Sequence, residues 1–133
     1  MKKYMLDTNM VSHLIKKHPN VAKNLLLVPM KSVCISAITE GELLFGLAKR
    51  PEAMRLHVVV RELIRCVDVM PWDSETAECY GAIRADMTCK GKTLSPLDLL
   101  IAAHAFHLDS VLVTNDQCFK QVDGLHIEDW VIA

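Results

Sequence analysis

Val111-Leu112-Val113-Thr114-Asn115-Asp116 is the stretch that decides the fold. Its β-branched and apolar residues make the clearest strand in the chain, and it ends in oxygen-bearing side chains. A weaker version opens the chain, where residues 3–6 lean apolar and stop at Asp7.

Between these two strands, strand and helix signals alternate. Asp7-Thr8-Asn9 has the side chains that open helices, which predicts a helix to about Lys17, and Pro19-Asn20 then interrupts the chain before a short apolar helix over residues 21–28. Residues 32–35 read as a second strand. Thr39-x-x-Glu42 has capping-box spacing ahead of Leu43, Leu44, Leu47 and Ala48, and Pro51 marks the first turn of a further helix reaching Cys66. Residues 67–70 form a third strand, Asp73 caps a helix to Cys89, and Gly91 stops it. Ser95-Pro96 starts a helix whose Leu99, Leu100, Ala102, Ala103 and Phe106 are apolar almost all round, and a last strand near residues 126–128 precedes Trp130. Alternation throughout implies an α/β fold: a mostly parallel central sheet flanked by helices on both faces, with right-handed crossovers and a ligand site beyond the carboxyl ends of the strands.

The 133 residues suit one domain, 1–133, and 51% hydrophobic against 23% charged residues excludes a disordered chain. No apolar run approaches the length of about eighteen residues needed to cross a bilayer. The start reaches Asp7 before a signal-peptide apolar core develops, so the expected location is cytoplasmic. Five cysteines, with no Cys-x-x-Cys pair, point to reduced thiols rather than disulfides or a thiolate zinc site. The net charge of −1 at first argues against a nucleic-acid partner. Setting aside Asp7, Glu42, Asp98 and Asp116, however, leaves 12 acids against 15 bases, clustered at Lys2-Lys3, Lys16-Lys17, Lys49-Arg50 and along Arg55, Arg61 and Arg65.

Those four acids are the candidate catalytic and metal-holding residues. Asp7 and Asp116 each follow a strand, while Glu42 and Asp98 each fall in the first turn of an expected helix, positions that a doubly wound sheet brings to one edge. Singly, each has an ordinary explanation as a cap, a capping-box partner, a dipole partner or a turn residue. Together, four carboxylates within a few ångströms repel unless cations neutralise them. An all-oxygen set favours Mg²⁺ or Mn²⁺ and thereby phosphodiester hydrolysis by water, leaving 5′-phosphate and 3′-hydroxyl ends. Thr8, Asn9, Ser36, Ser95, Thr114 and Asn115 are candidates to orient the carboxylates, with Asn9 and Thr114 foremost.

At this point the chain resembles the PIN domains, in particular the VapC toxins of bacterial toxin–antitoxin pairs. The resemblance is carried by Met5-Leu6-Asp7-Thr8-Asn9, by Ile35-Ser36-x-Ile38-Thr39-x-Gly41-Glu42-Leu43-x-x-Gly46, and by Ser95-Pro96-Leu97-Asp98 with Ile101-Ala102-Ala103-His104-Ala105. Leu112-Val113-Thr114-Asn115-Asp116 with Phe119, Gly124-Leu125 and Glu128-Asp129-Trp130 complete it. It implies a single PIN domain and Mg²⁺- or Mn²⁺-dependent endoribonuclease activity on structured RNA, tRNA or ribosomal RNA, with tRNA the first expectation. It also implies a homodimer and a cognate VapB-like antitoxin that covers the site. Two positions depart from the pattern: Leu97 stands where many relatives carry a polar residue, and Glu40 adds a carboxylate near Glu42, on the opposite helix face.

Three further readings compete. A receiver-like signalling domain also binds Mg²⁺ on an α/β scaffold but wants adjacent acids after the first strand, which are absent. An aspartyl phosphatase wants an acid where Asn9 stands, and an inactive PIN-type binding module sits poorly with four retained acids. His104 and His107 have ligand spacing on a helix but no further paired histidine, and Arg84 is a candidate for an RNA phosphate, an acid or a salt bridge.

Overall fold

The computed structural model describes residues 2–132; Met1 and Ala133, the ends of the expected 1–133 domain, lie outside them. Five strands, β1 (Tyr4–Leu6), β2 (Val33–Ser36), β3 (Asp68–Met70), β4 (Val111–Val113) and β5 (Ile127–Glu128), form one sheet in the order β3-β2-β1-β4-β5. Every neighbouring pair is parallel, so the expected mostly parallel sheet is parallel throughout. Six helices accompany it: α1 (Thr8–Ile15), α2 (Pro19–Leu26), α3 (Ala37–Ala48), α4 (Met54–Cys66), α5 (Ser74–Cys89) and α6 (Pro96–His107). None is long and apolar enough to cross a membrane.

The strands bury both faces because their side chains alternate between two cores. Tyr4 and Leu6 of β1, Val33 and Ile35 of β2 and Val113 of β4 pack with residues of α1 to α4. Met5, Cys34 and Leu112 point the other way, against α5 and α6. Each such fully buried aliphatic side chain contributes roughly 1.5–3 kcal/mol. Trp130, 3% exposed, closes the first core with its ring centroid 5.7 Å from that of Tyr4.

Three helix starts differ from the sequence expectation. Ser36, not Thr39, caps α3: its hydroxyl accepts the Ile38 N–H at 3.0 Å, and Thr39 is buried inside the helix. Glu42 therefore lies in the second turn of α3 rather than the first. Pro19 itself begins α2, ahead of the expected start at residue 21, because its missing N–H costs nothing in a first turn, and the helix ends at Leu26 rather than residue 28. Pro51 lies in a turn ahead of α4, in which Ala53 N–H reaches the Arg50 carbonyl at 3.1 Å, so the helix waits until Met54. The first helix also stops short of Lys17, which takes a left-handed φ of 60° as the chain reverses. Other signals read through directly: Asp73 and Ser95 cap α5 and α6, and Gly91 at φ 68° ends the turn after α5.

Candidate metal centre

The sheet itself builds the site. The register pairs Leu6 with Val113, and the Asp7 N–H continues the ladder to the Val113 carbonyl at 3.1 Å, so Asp7 and Thr114 leave adjacent strands side by side. With β2 on one side of β1 and β4 on the other, the chain crosses over to opposite sides here, which opens a crevice at the carboxyl ends.

Asp7 is 4% exposed. One carboxylate oxygen accepts the Met10 N–H at 2.8 Å, capping α1, and the other accepts the Thr114 hydroxyl at 2.5 Å. Thr114 Oγ1 in turn accepts the Asp116 N–H at 3.0 Å, so one buried hydroxyl ties two of the acids together. Burial pushes the Asp7 carboxyl above the usual carboxylate range, the charges of Asp98 and Asp116 add to the rise, and the two hydrogen bonds oppose it. Among the described residues no basic side chain forms an ion pair with Asp7, Asp98 or Asp116.

Asp98 comes from the first turn of α6, where its N–H reaches the capping Ser95 hydroxyl at 3.3 Å. Asp116 caps the 3-10 turn at Gln117–Gln121 by accepting the Cys118 N–H at 3.0 Å. That bond and the neighbouring thiol hold its carboxyl below the usual range. Ligand atoms of Asp98, Asp116 and Cys118 lie within 4.8 Å of one another. Sequence reasoning passed over Cys118, whose one available signal was its place two residues after Asp116. Burial, then hydrogen bonding to Asp116 and the charges of Asp116, Asp98 and Asp7, push its thiol up to about 12.

Glu42 stands apart from this group. Its Oε1 accepts the Thr8 hydroxyl at 2.5 Å, and both line a groove between α1, α3 and α4 that also presents Lys16, Lys49 and Arg50. Thr8 thus links Glu42 to the residue next to Asp7. Of the other candidates, Ser95 serves Asp98 through its backbone, while Ser36 faces His104 Nδ1 at 2.8 Å instead of an acid. Asn9 is exposed on α1, and the Asn115 amide donates to Asp129 at 3.1 Å. His104 is wholly buried, its imidazole pushed towards the neutral form by burial, whereas His107 sits 3.7 Å from Glu75, so the two do not share a ligand site. Arg84 donates to the Tyr80 hydroxyl at 2.8 Å on its own helix.

The donor chemistry fits a divalent cation: two carboxylates converge beside a third that is buried and hydrogen-bonded but has no ion-pair partner among the described residues. Comparison with known proteins identifies the fold family. The PIN domain family model matches residues 4–125. The chain is 37% identical to the tRNA(fMet)-specific endonuclease VapC of Salmonella typhimurium, over 98% of its length and 99% of the relative's. It is 34% identical to the protein of the same name from Shigella flexneri, with the same coverage. A crystal structure of DNA-bound VapBC from Salmonella typhimurium superposes with a TM-score of 0.89 at 38% identity, covering 98% of this chain and 99% of that one.

Proposed function

The chain belongs to the PIN-domain family, and from that premise we propose that it is a metal-dependent endoribonuclease of the VapC type, hydrolysing phosphodiester bonds in structured RNA as the toxin of a type II toxin–antitoxin pair. tRNA is the substrate class, since two relatives bear the name tRNA(fMet)-specific endonuclease. The partner is a VapB-like antitoxin, the working form a homodimer, and the location the cytoplasm.

One observation carries the reading: Asp7 is held almost out of solvent beside Asp98 and Asp116, with no basic side chain paired to it among the described residues. A protein tolerates such a charge only when something else answers it. Mg²⁺ or Mn²⁺ is the expected ion, held by Asp7, Asp98 and Asp116 with Glu42 as the outer carboxylate. Such an ion supplies charge neutralisation and water activation to phosphodiester hydrolysis.

The protein's own contribution is orientation. Thr114 fixes the free rotation of Asp7 and the backbone of Asp116 through a single hydroxyl. Ser95 sets the first turn of α6 and with it the height of Asp98 over the strand ends. Thr8 pins Glu42 at the mouth of a groove whose Lys16, Lys49 and Arg50 are placed to meet phosphates.

The test is cleavage of a tRNA pool by the chain freed of antitoxin, with the product ends mapped. Cuts with 5′-phosphate ends that vanish with EDTA and in Asp7→Asn support the proposal. An intact pool in the presence of Mn²⁺, with phosphate uptake from acetyl phosphate, replaces it with the receiver-like reading.

A further inference from the structure

Metal centres discriminate among ions by the softness of their donors, and this one contains a sulfur. We propose that Cys118 Sγ joins Asp98 and Asp116 as a ligand when a thiophilic divalent cation, Zn²⁺ or its spectroscopic stand-in Cd²⁺, occupies the centre, so that the site has a soft position beside its oxygens. The inference rests on the metal-centre reading above and deepens it.

Three observations carry it. Sγ and a carboxylate oxygen from each of Asp98 and Asp116 already lie within 4.8 Å of one another. Ligand atoms around a four-coordinate ion with bonds of about 2.0–2.3 Å sit roughly 3.5 Å apart, so movements of about 1 Å close the three donors. Cys118 is also coupled to Asp116 by geometry, because its N–H donates to that carboxylate at 3.0 Å and both belong to one 3-10 turn. Independently, Asp7 is a 4% exposed carboxylate next to the trio whose only partners among the described residues are the uncharged Met10 N–H and Thr114 hydroxyl, so its charge, added to those of Asp98 and Asp116, favours a cation there.

The other thiols lack this setting. Cys34 is sealed in the core under the sheet, Cys66 and Cys89 are exposed on α4 and α5, and Cys79 is half-buried on α5. When the thiol binds, its proton leaves to the buffer and the sulfur coordinates as thiolate. Mg²⁺, which demands oxygen, gains nothing from this position, whereas Zn²⁺ and Cd²⁺ do.

The experiment starts from a chain with Cys66, Cys79 and Cys89 replaced by Ser and follows the sulfur-to-cadmium charge-transfer absorption during Cd²⁺ titration. The expected result is a saturable band worth one thiolate per chain. It disappears in Cys118→Ser and weakens by about tenfold or more in apparent affinity in Asp98→Asn. Displacement of Mn²⁺, read by electron paramagnetic resonance, should need at least about tenfold more Cd²⁺ once Cys118 is Ser. In the unsubstituted chain, Zn²⁺ but not Mg²⁺ should protect Cys118 from alkylation, as mapped by mass spectrometry, which holds even where a variant fails to fold. A band that survives Cys118→Ser, or no band and no protection in a chain that still binds Mn²⁺, overturns the thiolate ligand and leaves the metal centre standing. Failure to bind either Mn²⁺ or Cd²⁺ overturns both.

Discussion

Two groups of acids in this molecule have opposite electrostatics. On the surface, Asp86 and Asp123 share Lys90 at 3.0 and 2.7 Å, and Lys92 adds a contact to Asp123 at 3.6 Å. The lysines hold the Asp123 carboxyl below its ordinary range, and the group is complete as it stands. At the strand ends, Asp7, Asp98 and Asp116 have hydroxyl and amide donors but no paired base among the described residues, and burial together with the neighbouring charges drives Asp7 the other way. The first group carries its counter-ions in the chain, while the second is the one for which a cation from solution is proposed.

The comparison breaks most visibly if Asp7 loses its charge. Asp7→Asn should reduce RNA cleavage by roughly a thousandfold, about 4 kcal/mol of barrier, while the circular dichroism spectrum stays that of the parent. Retained turnover would mean that the unpaired acid is not the working one.

A stability measurement sharpens the same contrast. Because the folded pKa of Asp7 is raised, its burial carries no electrostatic cost well below 3.8, where the group is neutral in both states, and a growing cost as pH rises through the folded value. The metal-free chain should therefore lose stability as pH climbs out of the acid range, and Asp7→Asn in EDTA at neutral pH should melt no lower than the parent. Adding Mn²⁺ at a hundredfold excess over its Kd should stabilise the parent by about 2.7 kcal/mol and Asp7→Asn far less. Equal stabilisation of both proteins would place the ion elsewhere.

Thr114→Val removes the hydroxyl that joins Asp7 to Asp116 while keeping the volume. Its expected effect is a roughly 10- to 100-fold loss of Mn²⁺ affinity, measured by calorimetry. Unchanged affinity would reduce the bridge to packing.

The smallest effect belongs to the self-sufficient group. Lys90→Ala should barely move the urea unfolding midpoint and leave RNA cleavage untouched, since its partners are more than half exposed.

Much of this was legible in the sequence, for identifiable reasons. Val111-Leu112-Val113 and Met5-Leu6 announce the strands because buried parallel strands have to be apolar on both faces. Ser95-Pro96 and Asp73 announce helix starts because capping is a local hydrogen bond between near neighbours. The start of α3 was misread because Thr39 has capping-box spacing to Glu42 while Ser36, the residue that does cap, lies three residues earlier, and Thr39 is instead buried against Thr8, a contact 31 residues distant in the chain. Ser36 was placed beside the acids for the same want of a long-range contact, its bond to His104 spanning 68 residues. The pairing of Asp7 with Thr114 follows from strand register, which no local pattern encodes. Cys118 was hidden because a single cysteine carries no periodic signal, and only folding brings its sulfur to Asp98.

The register of β1 against β4 also sets the order of assembly. The Thr114 hydroxyl reaches Asp7 across 107 positions of chain, so these two residues meet only after the crossovers between β1 and β4 have formed. A folding intermediate with its local helices in place but that strand pair unformed holds the carboxylates apart and has no assembled edge.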